Sequence, residues 1–254
     1  MGKVDRIRQV ANVAGALFQV VAGFLMPFAA AARGGAPVRP LIQPANYAFA
    51  IWAPIFLLGI AYAVYQALPT NRESRLLRRT GWLTFGAYLS NGLFEVLVSL
   101  QQFILAQVFI VGAFLCAGVA YLRLARSERG ILRGAERLLV ALPLGLFFGW
   151  ITAATVVNTA GVAVLAGVPE GGRVEILLGG VLLLVGGLFA SAMVLVGEYS
   201  PSQGYLAYAA AVVWALFGIV VAQNGLSLAI TAAALVASVP VLLSPLRRVR
   251  RVRW

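Results

Sequence analysis

The stretch LLVALPLGLFFGWITAATVVNTAGVAVLA, residues 138–166, runs through 29 positions without one charged side chain. A bilayer core about 30 Å thick takes roughly 20 helical residues at 1.5 Å each, so this run crosses a membrane with length to spare. It must tilt, extend beyond the bilayer or kink, and Pro143 is the natural place for a kink. Working outward, seven more apolar runs of membrane length surround it: 9–32, 48–68, 81–99, 103–122, 176–197, 204–222 and 226–244. The whole chain of 254 residues is 61% hydrophobic and 11% charged. Backbone polar groups in lipid are satisfied only within helices or closed barrels. Helix-length runs therefore give an all-α fold class: a polytopic membrane helix bundle of about eight transmembrane helices.

The basic residues fall in alternate gaps between these runs. Lys3, Arg6 and Arg8 precede the first; Arg72, Arg75, Arg78 and Arg79 separate the second from the third. Arg123, Arg126, Arg129, Arg133 and Arg137 separate the fourth from the fifth, and Arg247, Arg248, Arg250, Arg251 and Arg253 follow the last. The other gaps hold only Arg33, Arg39 and Arg173. Short loops rich in Lys and Arg stay in the cytoplasm, so both ends are expected inside. The basic start and apolar first run resemble a signal peptide, but the run continues for about two dozen residues and reads as a retained span.

A net charge of +12 would point to nucleic acid in a soluble chain. Here the topology rule and anionic lipid account for it, and no nucleic-acid partner is expected. The run Arg247 to Trp254 reads as a membrane-surface anchor with Trp254 at the interface. Histidine is absent and Cys116 is the single cysteine, so no intramolecular disulfide forms and the commonest metal ligands are missing. One buried acid, no histidine and no clustered carboxylates make a poor catalytic inventory. No metal site is expected and no cofactor is required.

Polar groups inside a bilayer are costly and face the bundle interior, which makes them the candidates for a site. Glu95 lies well inside the third run, four residues after Asn91, on the same helix face. It would act as a proton acceptor or hydrogen-bond a ligand, or else bond a neighbouring helix. The fifth run carries Trp150, Ala154 and Asn158 at i, i+4 and i+8, an aromatic plate, a gap and an amide on one stripe. That stripe suits a flat ligand with a polar edge, or an amide bridge between helices. Pro44, Tyr47, Phe49 and Trp52 gather before the second run, beside a proline- and glycine-rich connection over 33–47. The connection is either a lid over a ligand entrance or a connector stiffened by proline. Gly179, Gly180, Gly186 and Gly187 place small residues seven apart, which favours close helix packing.

These three constellations, in this order, resemble the TspO/MBR family of tryptophan-rich sensory proteins, relatives of the translocator (peripheral benzodiazepine receptor) protein. The family pattern has a proline- and aromatic-rich segment after the first helix, an Asn-led motif in the third, and a Trp followed eight residues later by Asn in the fifth. Pro44 to Phe56, Asn91 to Phe94 and Trp150 to Asn158 resemble these. The chain departs from the pattern in carrying Tyr47 and Phe94 where Trp is usual, in a Phe49-to-Trp52 step one residue short, and in a distant Pro143. It looks like a longer, divergent member, with a five-helix unit over 1–167 and a three-helix extension with a basic tail over 168–254.

The resemblance implies an integral membrane protein, of the bacterial inner membrane, that binds hydrophobic planar ligands such as porphyrins as a sensor or carrier. By that resemblance Pro44, Tyr47, Phe49, Trp52, Asn91, Phe94, Glu95, Trp150, Ala154 and Asn158 are the ligand-binding candidates. A porphyrin-type ligand would be held by stacking and hydrogen bonds, since no His is present to ligate iron. The family's habit and the glycine-rich sixth helix allow a homodimer. Two other functions compete: a proton-coupled small-solute transporter titrating at Glu95, and a membrane enzyme acting on a lipid or pigment.

Overall fold

The computed structural model describes residues 2–32, 34, 38–126, 134–197 and 202–245. The expected C-terminal anchor with Trp254 lies outside the described residues, as do Arg33, Arg129, Arg133, Gly35 and Pro37. Eight long helices make up the described chain: α1 (Gly2–Ala32), α2 (Trp52–Ala67), α3 (Arg75–Ser99), α4 (Phe103–Ala125), α5 (Leu142–Leu165), α6 (Arg173–Gly197), α7 (Ser202–Gln223) and α8 (Leu228–Leu243). The architecture is an all-helical bundle, and no strand occurs among the described residues.

Six helical stretches are long and apolar enough to cross a membrane: Gly2–Ala29, Asn46–Ala67, Phe103–Ala125, Gly134–Leu165, Arg173–Gly197 and Gln203–Gln223. Helix α3 falls below that mark because Arg75, Arg78 and Arg79 open it and Asn91 and Glu95 interrupt its apolar half. Helix α8 has 16 residues, about 24 Å of rise, short of a bilayer core. Both nevertheless pack as full members of the bundle, α3 between α1 and α4, α8 between α6 and α7.

Helices α1 and α3 begin several residues before their apolar runs, and the reason is a contact between their first turns. Arg78 grips Asp5 with two bonds, Nε to Oδ1 at 2.9 Å and Nη2 to Oδ2 at 2.7 Å. Ser74 caps α3 by accepting from the Leu77 N–H. Just above, Asn12 donates to the Gly81 carbonyl at 2.8 Å, Thr84 donates to Asn12 Oδ1 at 2.7 Å, and Tyr62 of α2 bonds Thr84 at 2.8 Å. Gln9 and Gln66 exchange side-chain-to-backbone bonds at 2.7 and 2.9 Å. A polar seam thus joins α1, α2 and α3 at one end of the bundle.

Helix α5 is the hub, buried on both sides. The disturbance expected near Pro143 is a π turn over Arg137–Ala141, leading into α5. Proline lacks the N–H for the helical ladder and its ring crowds the carbonyl four residues back, which a widened turn relieves. Beyond it Phe147, Phe148, Trp150 and Ile151 are all buried. Gly145 and Gly149 bring α5 against α7: a Cβ on either would run into the carbonyl oxygen of Gly204 or Tyr208. Without a hydrophobic drive between helices in lipid, such close backbone approach is what associates them. On α6, Gly179 and Gly187 face Ile230 and Ala237 of α8, while Gly186 faces Val156 of α5. The glycine stripe is a packing face.

Candidate functional site

At the end of the bundle carrying the α1–α2 connection, helices α1 to α5 enclose a cavity of about 640 Å³. That size accommodates a drug-sized ligand. Trp150, Ala154 and Asn158 form one side of it from α5. Trp52 lies with its ring centroid 6.1 Å from that of Trp150, edge to face, and stacks on Phe56 at 5.1 Å. Phe49 meets Trp150 edge-on at 5.7 Å. The aromatic rings therefore stand as fixed plates holding one another in place.

Two polar side chains reach into this apolar space from the helices. Asn158 spends its Nδ2 on the Ala154 carbonyl of its own helix, at 2.8 Å, which leaves Oδ1 for a guest. It makes no bridge to another helix among the described residues, so the amide-bridge alternative does not apply. Glu95 borders the cavity from α3 beside Phe94, and its carboxyl has no hydrogen-bond or ion-pair partner among the described residues. Lining residues that are also solvent- or lipid-exposed, Phe24 and Pro27 of α1 with Phe49, Ala50 and Ala53, set the open side along the α1/α2 edge.

Residues 38–51 roof the cavity with Val38, Pro40, Gln43 and Pro44, then turn through a 3₁₀ helix, Asn46–Ile51, into α2. This roof is fastened from outside. The Leu41 N–H donates to Glu175 Oε1 at 2.8 Å, and Gln223 Nε2 donates to the Leu41 carbonyl at 2.6 Å. Ala45 N–H bonds the Gly218 carbonyl at 3.0 Å, and Trp214 Nε1 donates to the Ala48 carbonyl at 2.8 Å. Ile42 is wholly buried over Gly179, whose missing Cβ makes room for it. Helices α6, α7 and α8 contribute no side chain to the cavity itself.

A family model described as TSPO-like protein matches residues 12–246. The chain belongs to the TSPO-like family. No significant match to a curated protein or to a solved structure was found. The family match runs from α1 through α8, so it takes in the three C-terminal helices as well as the five around the cavity.

Of the ten candidate residues in this TSPO-like chain, Pro44, Phe49, Trp52, Phe94, Glu95, Trp150, Ala154 and Asn158 border the cavity. Tyr47 and Asn91 do not. The 3₁₀ turn aims Tyr47 outward, where its ring meets Trp214 of α7 edge-on at 5.6 Å. Asn91 is fully buried against α1 and donates to Gln19 Oε1 at 3.5 Å, one turn below the cavity. Glu175, Trp214 and Gln223, which hold the roof, escaped the sequence reading. Gln223 was visible as a polar group at the end of an apolar run and Trp214 as a lone indole in its middle, but nothing local tied them to residues 41–48.

Proposed function

We propose that this TSPO-like protein binds a hydrophobic planar small molecule, of the tetrapyrrole type, in the cavity between α1 and α5, and serves as a sensor or carrier for it. The observation that carries the reading is the arrangement of Trp52 edge-on to Trp150, with Ala154 and Asn158 continuing the same face along a cavity of about 640 Å³. Ala154 leaves a gap into which a flat molecule slides, the rings of Trp52 and Trp150 border that gap, and Asn158 Oδ1 accepts a hydrogen bond from its polar edge. The open side along α1 and α2 admits such a molecule from the bilayer, where a hydrophobic ligand concentrates. The one-sided distribution of arginines supports a bacterial cytoplasmic membrane, with the cavity at the outer end of the bundle.

The test is a titration of the protein in nanodiscs with protoporphyrin, followed by tryptophan quenching and repeated with Trp150→Phe and Asn158→Ala. Saturable binding weakened about tenfold by each substitution is expected, the scale of one lost stacking or hydrogen-bonding contact. Saturable binding that ignores both substitutions would move the site elsewhere.

A further inference from the structure

Taking the cavity to be the ligand site, as proposed above, we infer that it prefers organic cations: Glu95 supplies a carboxylate for a positively charged nitrogen, and the surrounding rings supply cation–π faces. Three observations carry this. Among the described residues Glu95 is the only acidic side chain bordering the cavity, and no lysine or arginine among them borders it. Its carboxyl makes no hydrogen bond or ion pair among the described residues, although the bundle elsewhere pairs its buried acids closely. Asp5 is gripped by Arg78 through two bonds, and Glu175 accepts from two backbone N–H groups at 2.8 and 2.7 Å. Finally, seven of the bordering residues are aromatic, among them Phe94, next to Glu95 in sequence, and the stacked pair Trp52 and Phe56.

A carboxylate in low-dielectric surroundings is stabilised by a counter-charge, and none of the described residues provides one. Nearby Arg39 is not such a partner, because it does not border the cavity and its Nη2 donates to Asn46 Oδ1 at 2.8 Å. A guest that carries the positive charge completes the pair, and its cationic nitrogen is attracted in addition to the electron-rich ring faces. Asn158 Oδ1 is a second acceptor and no donor, so it too favours a guest bearing N–H groups. Polar contacts of this kind decide between otherwise similar apolar guests. Glu95 is thus a specificity-determining residue of the cavity: between flat apolar guests of similar size it favours the one whose edge carries a protonated amine.

The experiment compares proflavine, a planar cation at neutral pH, with acridine, its neutral parent, against wild type and Glu95→Gln in the same nanodiscs. Gln keeps the size and hydrogen-bonding capacity of Glu while removing its charge. Expected is proflavine binding at least about tenfold weaker to the variant, with acridine changed less than about threefold. Acridine bound equally by both proteins with no change in proflavine affinity overturns the cation preference and leaves the cavity standing as a ligand site. Equal losses for both dyes overturn it as well, by showing that Glu95 holds the fold. If neither dye binds the wild-type protein while protoporphyrin does, the cation preference falls and the ligand site stands; if none of the three binds, both readings fall.

Discussion

Removing the Glu175 carboxylate, as in Glu175→Ala, should unfasten the roof of the cavity without unfolding the bundle. The carboxylate is buried and takes two backbone donors, Leu41 N–H at 2.8 Å and Gly171 N–H at 2.7 Å. A hydrogen bond to a charged group contributes about 1.5–3 kcal/mol, and water satisfies the freed N–H once the roof lifts, so the lower end applies. Only the Leu41 bond breaks when the roof lifts, because Gly171 lies beside the start of α6 and stays with Glu175 in both states, so the change amounts to about 1.5 kcal/mol, or roughly tenfold in the equilibrium between closed and lifted roof. Amide hydrogen exchange in nanodiscs reads this directly, because local opening free energies appear there segment by segment. Peptides covering 38–51 should exchange about tenfold faster, while α3 and α4, which share no hydrogen bond with Glu175, stay protected. Glu175→Gln, which retains one acceptor oxygen, should fall between. Unchanged exchange at 38–51 would refute the latch, and an equal rise throughout α3 and α4 would show global destabilisation instead.

Three further substitutions probe the packing and the cavity. Gly149→Ala should cost about 1–3 kcal/mol of stability in detergent unfolding, because the added Cβ meets the Tyr208 carbonyl and lies 2.8 Å from the Ala211 Cβ; an unchanged unfolding midpoint would contradict the α5–α7 contact. Ala154→Leu fills the gap between Trp150 and Asn158, so ligand affinity should fall about tenfold or more while thermal stability holds or rises, cavity filling being stabilising where it causes no clash. Thr84→Val leaves the Asn12 side chain without its donor and Tyr62 without its acceptor deep in the α1–α3 seam; a loss of about 1–3 kcal/mol is expected, and none would mean that these groups find other partners.

The eight helices were legible because each stands on a predominantly apolar run, and lipid leaves the backbone few alternatives to a helix. The α5 stripe was legible for the same reason: i, i+4, i+8 spacing fixes a face without knowledge of anything beyond the helix. What spacing does not fix is the partner of that face. Asn91 and Glu95 share one side of α3, yet Gln19 of α1 closes over the first and only the second reaches the cavity. Tyr47 is turned away by a 3₁₀ rather than an α-helical start to the second span, a choice of hydrogen-bond pattern that proline- and alanine-rich sequence leaves open. The latch was beyond reach altogether, since Leu41 lies 134 residues from Glu175 and 182 from Gln223. The polar seam had a readable signal in Asp5, Arg8, Gln9 and Asn12, three and four apart along α1, with Gln19 seven residues further on the same face. Counting Arg8 only as a loop charge hid it, though the side chain is buried and donates to the Arg72 carbonyl at 2.8 Å.

The division of labour between the two halves of the chain follows from these contacts. Among the described residues, helices α1 to α5 and the connection between α1 and α2 supply every side chain that borders the cavity, while the hydrogen bonds from α6 and α7 go to the backbone of its roof. Packing adds to these bonds, with Ile42 seated on Gly179 and Pro44 and Ala48 against Gly218, so the fastening also fixes which side chains fit in the roof. The same C-terminal helices also cover the far side of α5, where Gly145 and Gly149 admit the α7 backbone. That contact holds the α5 stripe at a fixed distance from Trp52, because α5 is clamped between α2 on one side and α7 on the other. A five-helix bundle alone would leave α5 free to move outward and Leu41, Ala45 and Ala48 without their partners. Rigidity in the roof and in α5 lowers the cost of ordering the site when a ligand arrives, and the last three helices supply both.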